Sequence, residues 1–290
     1  MLDEHIMLNR DFIGKEYKCG PYIIESDSIR KYAHATNEKN SRYIDPNSPN
    51  GLIPSPLYPV VFLPDLLTQL VEDAEDMKLN ILRAVHAEQE MSWYESLHPG
   101  DQIDISAKIV TMKQYGVNDL LDLQILYKRD KTTVLKMGYR LMVRGKKKPD
   151  EGKPKQSIEE PEMGNKLADR TIIVTEDQGV RYAEASGDNN PIHVNEDIAK
   201  SVGLPSTILH GLCTMAFASQ TIVDDILEGD PTRLKNMKVR FSKPVFMKDA
   251  LTTTVYYVGI SESGNHVIQF ETRNADGVSV LTRGVAEIEK

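Results

Sequence analysis

Asp188 and His193 stand five positions apart in the stretch Ser186-Gly187-Asp188-Asn189-Asn190-Pro191-Ile192-His193. Gly187, Asn190 and Pro191 force this stretch off any regular path, so it reads as a turn. A carboxylate and an imidazole that converge on one point can hold a water molecule and move protons on and off it. Further along, His210-Gly211 heads an apolar segment. Gly211 there offers a backbone N–H at an expected helix start, where a developing negative oxygen is stabilised. Together these groups suit the addition of water to an activated double bond, or the reverse. The residues alone leave open which of Asp188 and His193 is the base and which the acid, since a close pair titrates as a unit.

The elements that must position these groups are also legible. A strand at Arg170–Val174 leads to Thr175-x-x-Gln178, the signature of a capping box. A helix through Val180, Tyr182, Ala183 and Ala185 ends before Gly187, and a short helix over Glu196–Val202 is closed by Gly203. From His210 to about Ile226 the residues Leu212, Met215, Ala216, Ile222, Val223 and Ile226 recur at helical spacing. Four runs of strand character follow, near Met237–Phe241, Leu251–Val258, Val267–Thr272 and Ser279–Ile288. Asn190 reads as the organiser of the turn, and His210 as a helix cap, a packed core residue or a site group.

The same frame occurs earlier in the chain. Tyr32-Ala33-His34-Ala35-Thr36 lines up with Tyr182-Ala183-Glu184-Ala185-Ser186, an offset of 182 − 32 = 150. That offset also pairs Asn40 with Asn190, Glu38 with Asp188 and Tyr43 with His193, while Tyr58-Pro59 stands near the place of His210-Gly211. Self-similarity at domain length points to duplication of one fold unit. The expected organisation is one unit over 1–145, an exposed Lys-, Pro- and Gly-rich linker over 146–165, and a second unit over 166–290. Proline at 59 abolishes a donor N–H, and Pro64 falls inside the first unit's expected central helix. The first copy therefore keeps the frame without the chemistry.

Composition narrows the function further. The 290 residues carry 40% hydrophobic residues and a net charge of -8. That supports a proper core and argues against nucleic acid as a partner. No apolar run approaches the roughly 18 residues of a membrane span. The acidic start Met1-Leu2-Asp3-Glu4-His5 is wrong for a signal peptide. With Cys19 and Cys213 alone, no disulfide framework is implied and a reducing cytoplasm fits. His34, His86, His98 and His266 show no ligand spacing, so no metal is expected. Arg240 and Lys243, at a strand end before Pro244, are the candidates for phosphate contact.

The motif resembles the MaoC-like family of (R)-specific enoyl-CoA hydratases and 3-hydroxyacyl dehydratases. The family pattern runs roughly S-G-D-x-N-P-[LI]-H, a short helix, a Gly, then [IL]-x-H-G. The chain matches it at Ser186, Gly187, Asp188, Asn190, Pro191, His193, Gly203, Ile208, His210 and Gly211, and departs at Asn195, where the family often has Asp. The resemblance implies an α+β double hotdog, two units each with a long helix wrapped by an antiparallel sheet. The two sheets would join edge to edge, with the one active half borrowing room for the acyl chain from the other. It further implies hydration of a trans-2-enoyl-CoA to the (R)-3-hydroxyacyl-CoA without a cofactor, a bond from Ser219 to Asp188, and a homodimer. Alternatives within the same frame are a 3-hydroxyacyl-ACP dehydratase, a hotdog thioesterase and a non-catalytic acyl-binding protein.

Overall fold

The computed structural model describes residues 7–49, 51–145 and 164–289. The expected 146–165 linker falls almost wholly on 146–163, outside the described residues. In the first half, strand β1 (Glu16–Ile23) precedes helices α1 (Ser26–Ala35), α2 (Ser41–Ile44) and α3 (Leu63–Glu72). Strands β2 (Ala84–Trp93), β3 (Gln102–Tyr115), β4 (Asn118–Arg129) and β5 (Thr132–Val143) then follow. The second half repeats the order with β6 (Lys166–Ile173), α4 (Gln178–Ser186), α5 (Glu196–Ser201) and α6 (Gly211–Asp225). Its last strands are β7 (Leu234–Phe241), β8 (Ala250–Ile260), β9 (His266–Arg273) and β10 (Ser279–Ile288).

All strands form one antiparallel ten-stranded sheet in the order β1-β3-β4-β5-β2-β7-β10-β9-β8-β6. The order is a palindrome of the two halves about the β2–β7 seam, where Glu88 to Ser92 pair with Arg240 to Asn236. Duplicated positions meet near the pseudo-twofold axis: Glu90 pairs with Lys238 across the seam, and the Tyr32 and Tyr182 hydroxyls lie 3.4 Å apart. Joining the halves this way pairs strand edges that each sheet would otherwise expose.

The sheet wraps α6, a 15-residue helix in which every residue from Cys213 to Val223 is buried. A helix buried on every face must be surrounded, which the sheet provides. Its counterpart α3 has 10 residues, because Tyr58–Phe62 forms a 3-10 segment in place of the first turns. Pro64 does not interrupt this helix. It occupies the first turn, where its missing N–H costs nothing. No described helix is long and apolar enough to cross a membrane.

Candidate active site

Helix α4 delivers the Asp188 turn. Gln178 reaches back to accept from the Thr175 N–H at 3.4 Å, half of the expected capping box. The same side chain donates to the Ala35 carbonyl at 2.5 Å, tying the helix to the first half. At the other end Gly187 turns left-handed with φ 76°, a conformation that favours glycine at a helix C-terminus. A side chain there would also press on Pro64 of α3, since a Cβ would lie 3.0 Å from that ring.

Within the turn each polar group fixes the next. Asp188 Oδ1 accepts from the Asn190 N–H at 3.2 Å, and Asn190 Oδ1 accepts from the Ile192 N–H at 3.3 Å. Asn190 is thus the organiser of the turn and caps the short 3-10 segment Pro191–His193. His193 Nδ1 lies 2.8 Å from the Ile208 carbonyl. A carbonyl can only accept, so Nδ1 carries the proton and Nε2 keeps its lone pair. Burial lowers the His193 pKa, against the opposing pull of Asp188 and the Ile208 bond. The ring is neutral at physiological pH.

His210 caps α6 and is buried, its Nε2 donating to the Asp188 carbonyl at 2.9 Å. Its ring stacks on His193 at 3.8 Å with a 27° interplanar angle. Burial, and then the neighbouring His193, lower its pKa to about 4. It therefore holds the Asp188 backbone and backs the His193 ring, uniting the cap and core roles with a place in the site. One ligating atom from each of Asp188, His193 and His210 lies within 4.8 Å of the others, a cluster that the histidine spacing did not suggest.

Gly211 begins α6, so its N–H belongs to the first-turn donors that have no partner inside the helix. A Cβ at Gly211 would lie 3.0 Å from Cδ1 of Phe241, at the end of β7. Two expectations change here. Along β7 the residues Met237 and Val239 are buried while Lys238 and Arg240 are exposed, so Phe241 faces Gly211 and Arg240 points off the opposite face. Lys243 is exposed in the turn beyond. Ser219 is buried two turns into α6, and its Oγ has no hydrogen-bond partner. The Asp188 carboxylate accepts from the Asn190 N–H instead.

Sequence reasoning also missed the pair His86 and Tyr139, of which the first half places His86 beside Phe241. The His86 and Tyr139 rings stack at 3.8 Å, and His86 lies 4.7 Å from Phe241.

Comparison with known proteins agrees with this architecture in both halves. Residues 159–278 match the family described as "MaoC like domain", and residues 11–134 match the "FAS1-like, dehydratase domain region". A Dictyostelium discoideum protein named probable enoyl-CoA hydratase 2 is 29% identical over 81% of this chain and 80% of its own length. The peroxisomal multifunctional enzyme type 2 of Mus musculus is 26% identical over 71% of this chain, which spans only 30% of that enzyme. The solved MaoC-like dehydratase of Phytophthora capsici superposes with a TM-score of 0.79 at 22% identity, covering 98% of both chains. A Mycobacterium tuberculosis structure described as a double hotdog gives 0.59 at 12% identity over 95% of each chain. With a second half that matches the MaoC-like domain and a first half that matches the FAS1-like dehydratase region, the chain has the double hotdog fold and is similar to the MaoC-like hydratases and dehydratases.

Proposed function

We propose that this enzyme adds water reversibly to a trans-2-enoyl-CoA, giving the (R)-3-hydroxyacyl-CoA, with Asp188, His193 and Gly211 as its catalytic groups. The observation that carries the reading is the fixed tautomer of His193: Nδ1–H is spent on the Ile208 carbonyl, leaving Nε2 as a neutral base beside the Asp188 carboxylate. The thioester carbonyl sits against the Gly211 N–H at the start of α6, where the helix end stabilises the enolate oxygen. Water held by Asp188 gives a proton to His193 Nε2 as its oxygen bonds to C3. The imidazolium then returns that proton to C2, so both additions occur on one face and Asp188 remains a carboxylate throughout. In the dehydration direction the same atoms act in reverse order.

Lys243 is the residue offered to the CoA phosphates, by its charge and its exposed place beyond Phe241. The units 1–145 and 166–290, a cytoplasmic site of action and a further homodimer belong to the same reading. The test is loss of the enoyl-thioester absorbance when the pure protein meets crotonyl-CoA. Hydrolysis of the thioester with the double bond intact would instead mark a thioesterase, and binding without turnover an acyl-binding protein.

A further inference from the structure

The first half contributes more than room. Along β2 the residues Glu88 and Glu90 alternate with buried Ala87, Gln89 and Met91, so strict alternation would put His86 on the outer face with the glutamates. The pairing of β2 with β5 does not keep that alternation. His86 pairs with Leu141 but Glu88 pairs with Arg140, a register shift that makes Ala87 an extra residue. A bulge of this kind turns the residue before it to the other face and is often found beside active sites. Here it swings His86 onto the inner face, where it stacks on Tyr139 at 3.8 Å and 15°.

The reoriented ring is held by three contacts. Its Nε2 lies 3.1 Å from the Glu88 carbonyl, so that nitrogen carries the proton. One flat face is covered by Tyr139 and an edge meets Phe241, the residue that also abuts Gly211. Asp188 is close enough for its charge to act on both His86 and Tyr139. A chain of contacts thus runs from Gly211 through Phe241 and His86 to Tyr139, with two residues from each half. His86 is part-exposed.

We infer that His86, backed by Tyr139, is a specificity-determining wall of the acyl pocket that favours an uncharged acyl chain over one ending in a carboxylate. The inference rests on the hydratase reading above and names its substrate class. His86 is not a second base: burial holds its pKa at about 3, and its proton-bearing nitrogen is committed. A carboxylate on the chain would meet a neutral ring, with the negative Asp188 nearby. Arg140, next to Tyr139 in β5, cannot compensate, because it faces Asp122 and Glu88 on the outer side. An unpaired charge buried in such a place is strongly disfavoured.

Calorimetric binding of hexanoyl-CoA and adipoyl-CoA tests this, since both are saturated six-carbon thioesters that cannot be hydrated. The parent should bind hexanoyl-CoA at least about tenfold more tightly than adipoyl-CoA. His86→Phe keeps a flat ring and should preserve that ratio. His86→Ala removes the wall and should weaken hexanoyl-CoA binding about tenfold. Should His86→Ala not fold by circular dichroism, His86→Leu, of similar bulk but without a flat face, takes its place. Equal affinities in the parent, or an unchanged hexanoyl-CoA affinity in a folded His86→Ala or His86→Leu protein, overturns the inference. Failure to hydrate trans-2-hexenoyl-CoA while these affinities behave as expected would overturn the hydratase reading and leave the wall standing.

Discussion

The two turns at Asp188 and at Glu38 share a backbone plan and differ in what water can reach. Asp188 and His193 are part-exposed in the second half, whereas Glu38 and Tyr43 at the matching positions are 9% and 1% exposed. Asn190 and Asn40 do the same work, each accepting from the N–H two residues on. Asn40 additionally donates to the Gly229 carbonyl at 2.8 Å, sealing its turn against the second half. Burial, with Asp224 nearby, raises the Glu38 carboxyl well above its usual range. Pro59 removes the helix-start donor, and the helix that should begin there begins at Leu63. The turn is thus a buried structural joint in one half and the part-exposed, proposed reaction site in the other.

The largest expected difference lies between matched substitutions. Asp188→Asn and His193→Gln should each lower enoyl-CoA hydration at least about a hundredfold while the fold is kept. Glu38→Gln and Tyr43→Phe should change it only a few fold. A loss of similar size at Glu38 would show two active halves.

Importing the first half's proline sharpens the contrast. Gly211→Pro deletes the proposed carbonyl donor and should lower kcat about a hundredfold in protein that still binds acyl-CoA. Gly211→Ala keeps the donor, but its methyl would crowd Phe241 at 3.0 Å. Its smaller loss should recover when Phe241→Leu is added. Equal kcat for the Pro and Ala variants removes the N–H from the mechanism.

Acid sensitivity follows from the lowered His193 pKa. Nε2 must hold its lone pair, so activity is full above the folded pKa and falls as pH drops through it. Because burial places that pKa below the ordinary 6.5, the acid limb of the kcat/KM profile should have its midpoint below 6.5. A midpoint at or above that value, measured with crotonyl-CoA, means that another group governs the limb.

The smallest effect is on stability and has the opposite pH sense. A carboxyl whose folded pKa is raised stabilises at acid pH and loses that contribution as pH rises through the folded value. Glu38→Gln should therefore raise Tm by a few degrees at pH 8, about 2–4 °C per kcal/mol for a chain of this size. The gain should vanish near pH 4. Calorimetry showing a lower Tm at pH 8 would mean that Glu38 is ionised and paired.

Much of this was legible because it is written in local spacing. The Asp188–His193 turn and the α6 periodicity rest on near neighbours in sequence, and the Tyr32/Tyr182 repeat on two short matching runs at a constant offset. The alternation Met237, Val239, Phe241 against Lys238, Arg240 was equally visible and already argues that Arg240 faces outward. Ser219 looked apt because it is two turns from Gly211, but spacing along a helix does not say what lies across from it. His86 was illegible for a physical reason: a single extra residue at Ala87 reverses the face of everything before it, and no composition signal marks that bulge.

The β2–β7 seam also bears on how the enzyme is made. Its partners are far apart along the chain, as with Asn236 and Glu90, 146 residues distant. Pairing at such separation carries a loop-closure cost that short-range hairpins such as β4–β5 avoid, so each half should gather its own strands first. The contact of His86 with Phe241 and the proposed acyl site that depends on it form only once the seam has closed. During refolding, the far-ultraviolet signal of the strands should return before the ability to hydrate crotonyl-CoA, and chains caught between the two events would present the open edges of β2 and β7 to one another.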